Sequence, residues 1–351
     1  EMFAPPPPSG CAAVKDLARR RRCFAQPPAP PALPSTTAVA SSLPSRATSS
    51  PSPPPPANRS RTATAKPTVY PRWPCNHAPA CPFVNKKHLC LPPSETCRAR
   101  FGAPRVEPRH CAVRWNSTRF ADAFAGRRIY FVGDSIAAQQ WRSLLCLEIG
   151  TMSDEARKTA QNAAHEKVPH GTTCVALARR TTACAVRSTD LPSVLKAATP
   201  LRGQSNAVLV LSAFAHQTSV TEAANVRALL QWLAMDGPLR ARVVWRSREA
   251  DHYGDSGWNG TLEMQGCRAA SAAQRSSLAA PFWRAQYAPL ERAGVLVLDS
   301  RSATEAAHEA HPLFCDGSST PVVGFWDCRH FCQPGPMEQL NVQLVDLFDA
   351  G

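Results

Sequence analysis

From residue 128 onward the chain alternates between short, continuous apolar runs and longer stretches with apolar residues at helical spacing. RIYFVG (128–133) is an apolar run ending in glycine and predicts a buried strand. IAAQQWRSLLCLE follows, with Ile136, Gln140, Leu144 and Leu147 on or near one face of a helix. CVALARR and the region to Val186 read as strand, NAVLVLSAF (206–214) as a strongly apolar strand, and ARVVWRS (241–247) and GVLVLDS (294–300) as two more. TEAANVRALLQWLAM puts Val226, Leu229, Leu230 and Leu233 in helical phase, and further helices are predicted around 271–292 and over about 336–348. Strands alternating with helices predict an α/β domain over 128–351, its parallel sheet covered on both faces. Reactive groups in such sheets collect at the carboxyl ends of the strands.

The preceding residues read differently. Pro, Ser, Ala and Thr dominate residues 1–74, as in AQPPAPPALPSTTAVASSLPS, and 18 of the chain's 34 prolines fall there. Proline removes donors and opposes helix, and the apolar mass is too small to offset the entropy of ordering, so a disordered stalk is expected. Residues 75–127 are dense in cysteine and poor in periodic apolar runs, which predicts a small loop-rich module held by disulfides.

Charge sharpens this division. The net charge is +14, and residues 1–74 alone hold ten Lys or Arg against two acids. The densest basic run, Arg19 to Arg22, sits in a segment that cannot pack, whereas a nucleic-acid protein shows its basic stripe on a folded surface. No nucleic-acid partner is expected. The 14 cysteines include no pair of CxxC motifs at zinc-finger spacing, so disulfides in an oxidising compartment explain them better than metal. Sequons at Asn58, Asn116 and Asn259 point to the secretory pathway as well. No run of about 18 apolar residues is present. The sequence begins with Glu1 rather than Met, and a signal peptide or membrane anchor is expected upstream of it.

Two short motifs carry candidate chemistry. Gly133-Asp134-Ser135 stands between a predicted strand and a predicted helix. A serine at a helix amino terminus lies among free backbone N–H groups, which can hold an oxyanion if the serine attacks a carbonyl. By itself the motif fits an ordinary helix cap, a place serine often fills. Asp327-Cys328-Arg329-His330 comes near the other end. A nucleophilic serine needs a base, and the base needs an orienting acid; Asp and His three residues apart can supply both from one turn. Cys328 and Cys332 flank that histidine, and a bridge from either one would fix the loop. Arg246, at the end of a strand, is a candidate for binding a carboxylate or carbonyl oxygen, and His252 and Trp258 in the following loop are candidates for contacting sugar. An internal salt bridge and ordinary loop anchors fit these three equally well. His308 and His311 have the spacing of a weak metal pair, for which structural roles are the better expectation.

Taken in order, these segments resemble the trichome birefringence-like family, or PC-esterase domain, of the GDSL/SGNH hydrolase superfamily. The likeness runs over about 75–349: GRRIYFVGDSIAAQQWRSLLCLE, SREADHYGDSGWN, EAHP and DCRHFCQPGPMEQLN each resemble a family signature. The resemblance implies a three-layer α/β/α sheet of flavodoxin-like order and a triad of Ser135, His330 and Asp327. It further implies a type II membrane protein of the Golgi lumen that O-acetylates cell-wall polysaccharide. The partners would be a glycan acceptor and an acyl donor, acetyl-CoA or another acetyl carrier, with no bound cofactor and no metal. An oxyanion hole would comprise the Ser135 N–H and the Ser212 hydroxyl, Ser212 standing where the family has asparagine. Other departures are Ala138-Gln139 for the family's Arg-Asn, Phe214 for a glycine, and Phe331, Gln333 and Leu340 in the last signature. A substrate different from that of the land-plant xylan enzymes is therefore expected. Hydrolysis of the same acyl-enzyme, and a glycan-binding protein without catalysis, remain the alternatives.

Overall fold

In a computed structural model the chain is described over residues 81–84, 94–104, 115–165, 171–213, 222–250, 252–253, 266–269, 280–316 and 323–349. All of them fall within Lys66–Gly351. The predicted stalk, 1–74, lies outside the described residues, as do Trp258 and much of 75–127.

The elements in chain order are α1 (Glu95–Phe101), α2 (Ser117–Ala123), β1 (Arg128–Gly133), α3 (Ser135–Leu147), α4 (Asp154–His165), β2 (Thr172–Ala176), β3 (Thr182–Arg187), α5 (Leu191–Ala198), β4 (Ala207–Leu211), α6 (Glu222–Leu233), β5 (Arg242–Arg246), α7 (Ala280–Arg292), β6 (Leu296–Leu298), α8 (Ser300–Thr304), β7 (Leu313–Asp316), β8 (Val323–Trp326) and α9 (Pro336–Asp349). Six strands form the main sheet in the order β2-β3-β1-β4-β5-β6. From β3 to β6 all neighbours are parallel. Without β2 the order is 2-1-3-4-5, as in flavodoxin-like sheets, and the direction of winding reverses at β1.

The alternation of side chains along buried strands feeds two cores, one on each face. Ile129, Phe131, Ala183, Ala185, Val208 and Val210 pack beside Trp141, Leu144 and Leu145 of α3 and Leu340 and Leu344 of α9. Tyr130, Val132, Cys184, Leu209 and Leu211 face the other way, onto Val194 of α5, Leu229 and Trp232 of α6 and Leu290 of α7. Helices on both faces complete the three-layer α/β/α arrangement.

The region from Cys174 to Val186, read as strand, consists of two strands in an antiparallel hairpin, β2 against β3, and β2 forms the sheet edge. Cys174 lies directly opposite Cys184, and the two are bonded. A short turn through Ala178–Arg180 allows only antiparallel pairing, because a parallel return needs a crossover of a dozen residues or more.

The segment just before β1 shares the sheet's core: Trp115, Phe120 and Phe124 pack in the same cluster as Ile129. Trp115 Nε1–H donates to Glu148 at the end of α3 (2.7 Å). Cys81–Cys146 fastens the amino-terminal segment to α3, and Cys97–Cys315 fastens α1 to β7. β7 and β8 form a separate antiparallel pair. At Gly324 in β8 an added Cβ would lie 2.7 Å from the Phe101 ring, so the close approach of α1 requires glycine there. Among the described residues no helix is long and apolar enough to cross a membrane.

Candidate active site

β1 is central and short, and its carboxyl end delivers Asp134 and Ser135 to the point where the sheet reverses its winding. Gly133 ends the strand for a steric reason: a Cβ there would meet the Ser212 carbonyl oxygen at 2.4 Å and Oγ at 2.7 Å. The next residue caps the helix. Asp134 Oδ1 accepts from the Ile136 N–H (2.9 Å), so Asp134 serves as the cap of α3 and Ser135 is its first residue. This arrangement leaves the Ser135 hydroxyl for another partner.

That partner comes from 195 residues along the chain. His330 Nε2 lies 2.7 Å from Ser135 Oγ. His330 Nδ1 lies 2.7 Å from Asp327 Oδ2. The same carboxylate holds its own turn, because Oδ1 accepts from the N–H groups of Arg329 (3.2 Å) and His330 (3.1 Å). Burial alone would push the Asp327 carboxyl up. The His330 ring and those two N–H groups outweigh burial and hold it well below the usual carboxylate range. Asp327 is therefore ionised at all but strongly acid pH, as an orienting acid must be.

The turn that carries Asp327 and His330 is fastened on several sides. Cys328 is bonded to Cys267, and Cys332 is also in a disulfide. Asp327 N–H donates to the Pro312 carbonyl (3.0 Å) and Cys332 N–H to the Ala310 carbonyl (2.8 Å). Gln139, one turn beyond Ser135 on α3, reads both backbone groups of Phe331: its Nε2 donates to the Phe331 carbonyl, and its Oε1 accepts from the Phe331 N–H (3.2 Å). Gln333 Nε2 returns a bond to the Gln139 carbonyl (3.0 Å). The helix that carries Ser135 and the loop that carries His330 are thus joined by a side-chain amide used like a strand partner. Sequence reasoning noted Gln139 only as a departure from a family motif and missed this role; two glutamines, at 139 and 333, in the segments on which the candidate triad rests were the available signal.

His311 supports the loop from beneath. Its Nδ1–H donates to the His330 carbonyl (2.5 Å), and its Nε2 faces His252 Nδ1 (2.6 Å). Burial, then the neighbouring His252, pushes His311 down to about 3, so the ring is neutral. With its proton on Nδ1, its Nε2 accepts from His252.

Two of the three candidate substrate contacts lie within the described residues. Arg246 is 0 % exposed and lies inside the protein. It donates to Gln140 Oε1 (3.3 Å) and pairs with Glu249 (2.6 Å), while Gln140 in turn meets Asn341 of α9 (3.3 Å). His252 is also 0 % exposed, against His311 and Phe331. Both side chains are held inside the protein by these partners, as the salt-bridge and loop-anchor readings of the sequence also allow. Trp258 lies outside the described residues. Ser212 is buried immediately beside Gly133, and its Oγ makes no hydrogen bond among the described residues. Its hydroxyl lies next to Gly133, where β1 ends two residues before Ser135.

A second buried acid lies at the start of α9. Glu338 is almost fully buried and accepts from the Gly335 N–H (2.6 Å). Burial pushes its carboxyl up to about 7, against that bond and one from Ser143. Between the ordinary carboxylate range and about pH 7 the folded protein keeps a proton that the unfolded chain has released, so stability falls as pH rises through that window. Glu338→Gln carries no charge and retains an acceptor for Gly335. It is expected to equal the parent near pH 4 and to exceed its stability by roughly 1–3 kcal/mol at pH 8. Thermal melts at the two pH values measure the difference.

Comparison with known proteins agrees with this geometry in kind. The profile of the PC-Esterase family, described as the GDSL/SGNH-like acyl-esterase family found in Pmr5 and Cas1p, matches residues 113–191 and 212–347. Protein trichome birefringence-like 6 of Arabidopsis thaliana is 35% identical over 79 residues, which is 22% of this chain and 16% of that protein. Trichome birefringence-like protein 7 of the same plant is 34% identical over 84 residues, 24% of this chain and 19% of the relative. Probable xylan O-acetyltransferase 9 of Oryza sativa subsp. japonica is 32% identical over 82 residues, 22% of this chain and 17% of the relative. The matched stretches thus span less than a fifth of these relatives' length. The family profile covers more than half of the chain, including both segments that meet at Ser135 and His330, and the chain belongs to the PC-esterase family.

Proposed function

We propose that this protein is an O-acyltransferase that acetylates glycan hydroxyls through an acyl-enzyme on Ser135. The observation that carries the reading is the unbroken series Ser135 Oγ, His330, Asp327, with both links at 2.7 Å. In the first half-reaction His330 Nε2 takes the Ser135 proton as Oγ bonds to the acetyl carbonyl carbon. The tetrahedral oxyanion is held by the Ser135 N–H at the start of α3 and by the Ser212 hydroxyl. His330 then protonates the leaving group of the donor, acetyl-CoA or another acetyl carrier, and acetyl-serine remains. In the second half-reaction His330 takes a proton from a sugar hydroxyl, whose oxygen attacks the acetyl carbonyl; Ser135 leaves and recovers its proton.

The family description as acyl-esterases supports hydrolysis as the second reading, with water in place of the sugar. The two separate in a single assay: an aryl acetate is supplied with and without a neutral oligosaccharide, and acetate and acetylated sugar are both measured. Acetylated sugar in the presence of acceptor is expected. Acetate release that the acceptor leaves unchanged, with no acetylated sugar, would assign the chain to the hydrolases. Mass spectrometry of a fluorophosphonate-treated sample tests the shared step, and an unlabelled Ser135 would leave a glycan-binding protein on an enzyme fold. Disulfides at Cys81, Cys97, Cys174 and Cys267 support residence in an oxidising lumen, and we place the reaction in the secretory pathway, in the Golgi.

A further inference from the structure

Arg142 lies two turns along α3 from Ser135, and seven residues at 3.6 per turn bring it back to within about 20° of the same face. Long helical side chains lean toward the helix amino terminus, which here is the Ser135 end. Arg142 is only 8 % exposed. Its Nε is fully buried without a hydrogen bond, and no carboxylate of the described residues pairs with it. A guanidinium cannot shed its charge in a protein, so a buried one calls for an anion.

The charge that acts on it most among the described residues is of the wrong sign. Arg187 ends β3 in register with Gly133, and the Ser188 N–H beside it donates to the Gly133 carbonyl (2.7 Å). Along β3 it shares the parity of Ala183 and Ala185, which pack in the core beneath α3, so it stands on the α3 side of the sheet. Its side chain is exposed. Burial and the Arg187 charge both push Arg142 down. Arg142 on α3 and Arg187 at the end of β3 thus put two guanidinium groups on one side of the sheet, one sunk in the protein and one in solvent, a charge pattern that suits a small oxyanion.

We propose that Arg142 and Arg187 form an anion subsite beside Ser135 that takes a carboxylate or phosphate group of a substrate. A phosphate would belong to the acyl carrier, a carboxylate to an acidic sugar of the glycan. Anion binding stands on the two arginines alone; its service to a substrate rests on the acyl-transfer reading of Ser135.

Calorimetric titration of the full chain with inorganic phosphate, with glucuronate and with glucose tests the subsite. At least one anion is expected to bind at one site per chain, and glucose is not. Binding is expected to weaken roughly tenfold or more in Arg142→Gln and in Arg187→Gln, since each removes a charge-assisted contact. Tighter phosphate assigns the site to the carrier, and tighter glucuronate assigns it to the glycan. Arg187→Gln changes an exposed residue and keeps the test open should Arg142→Gln fold poorly. Absence of binding by both anions, or equal binding in parent and Arg187→Gln, overturns the proposal. Fluorophosphonate labelling of Ser135 is scored on the same samples. Anion binding without labelling keeps the subsite and removes the acyl-enzyme, and labelling without anion binding does the reverse.

Discussion

Ser135→Ala and His330→Ala are each expected to lower acetyl turnover by about four orders of magnitude or more, and the double variant by no more than either alone. The three side chains act in one proton path, so removing one member removes the path. Ser135→Ala is the cleaner of the two. The helix cap belongs to Asp134, and the Ser135 hydroxyl is bonded to His330, so the melting temperature should hold while activity disappears. Asp327→Ala is a poorer probe, because Asp327 also holds the N–H groups of Arg329 and His330 and its loss loosens the turn itself. Turnover of an aryl acetate by the single and double variants, with melts alongside, gives the answer. Undiminished activity in Ser135→Ala would exclude the mechanism.

Gln139→Leu is expected to lower kcat about a hundredfold with little change in KM, and to cost roughly 2–4 kcal/mol of stability. Leucine fits the volume but leaves the Phe331 N–H and carbonyl, both buried against α3, without partners. Each orphaned group carries its own desolvation cost. The loss falls next to His330, so the imidazole is no longer held over Ser135 by the helix that carries it. A residue with a packing role alone would move the melting temperature and leave kcat per folded molecule intact. Gln139→Glu, which keeps one acceptor for the Phe331 N–H, should recover part of kcat at a pH low enough to protonate it. Single-turnover acylation of each variant below its melting temperature separates the two roles.

The features that could be read from the sequence were local ones. An apolar run that ends in glycine and leads into a helical stretch is written within twenty residues, and so are the acid and base three apart in DCRH. The two cores follow from alternation within single strands. The helix Asp154–His165 was not anticipated because its buried stripe consists of Ala156, Ala160 and Ala163, which carry little hydrophobic signal. The helix Leu191–Ala198 was not anticipated either: Asp190 and Ser193 form a reciprocal cap, but the helix is only two turns long. Arg246 ends a strand and reads as an edge residue. Glu249 is three residues away, but its other partner, Gln140, stands on α3, 106 residues earlier, and nothing local marks it. The Gln139 amide pairs with a backbone, and a backbone has no sequence signature at all.

The two halves of the proposed proton path are made at very different times. The hydroxyl belongs to a segment made early, whereas the imidazole follows 195 residues later. Through most of translation the nascent polypeptide holds an alcohol with no base to activate it. If the proposed proton path operates, it is complete only once His330 has been added and Cys328 has bonded to Cys267, and a product truncated before residue 330 is expected to lack it.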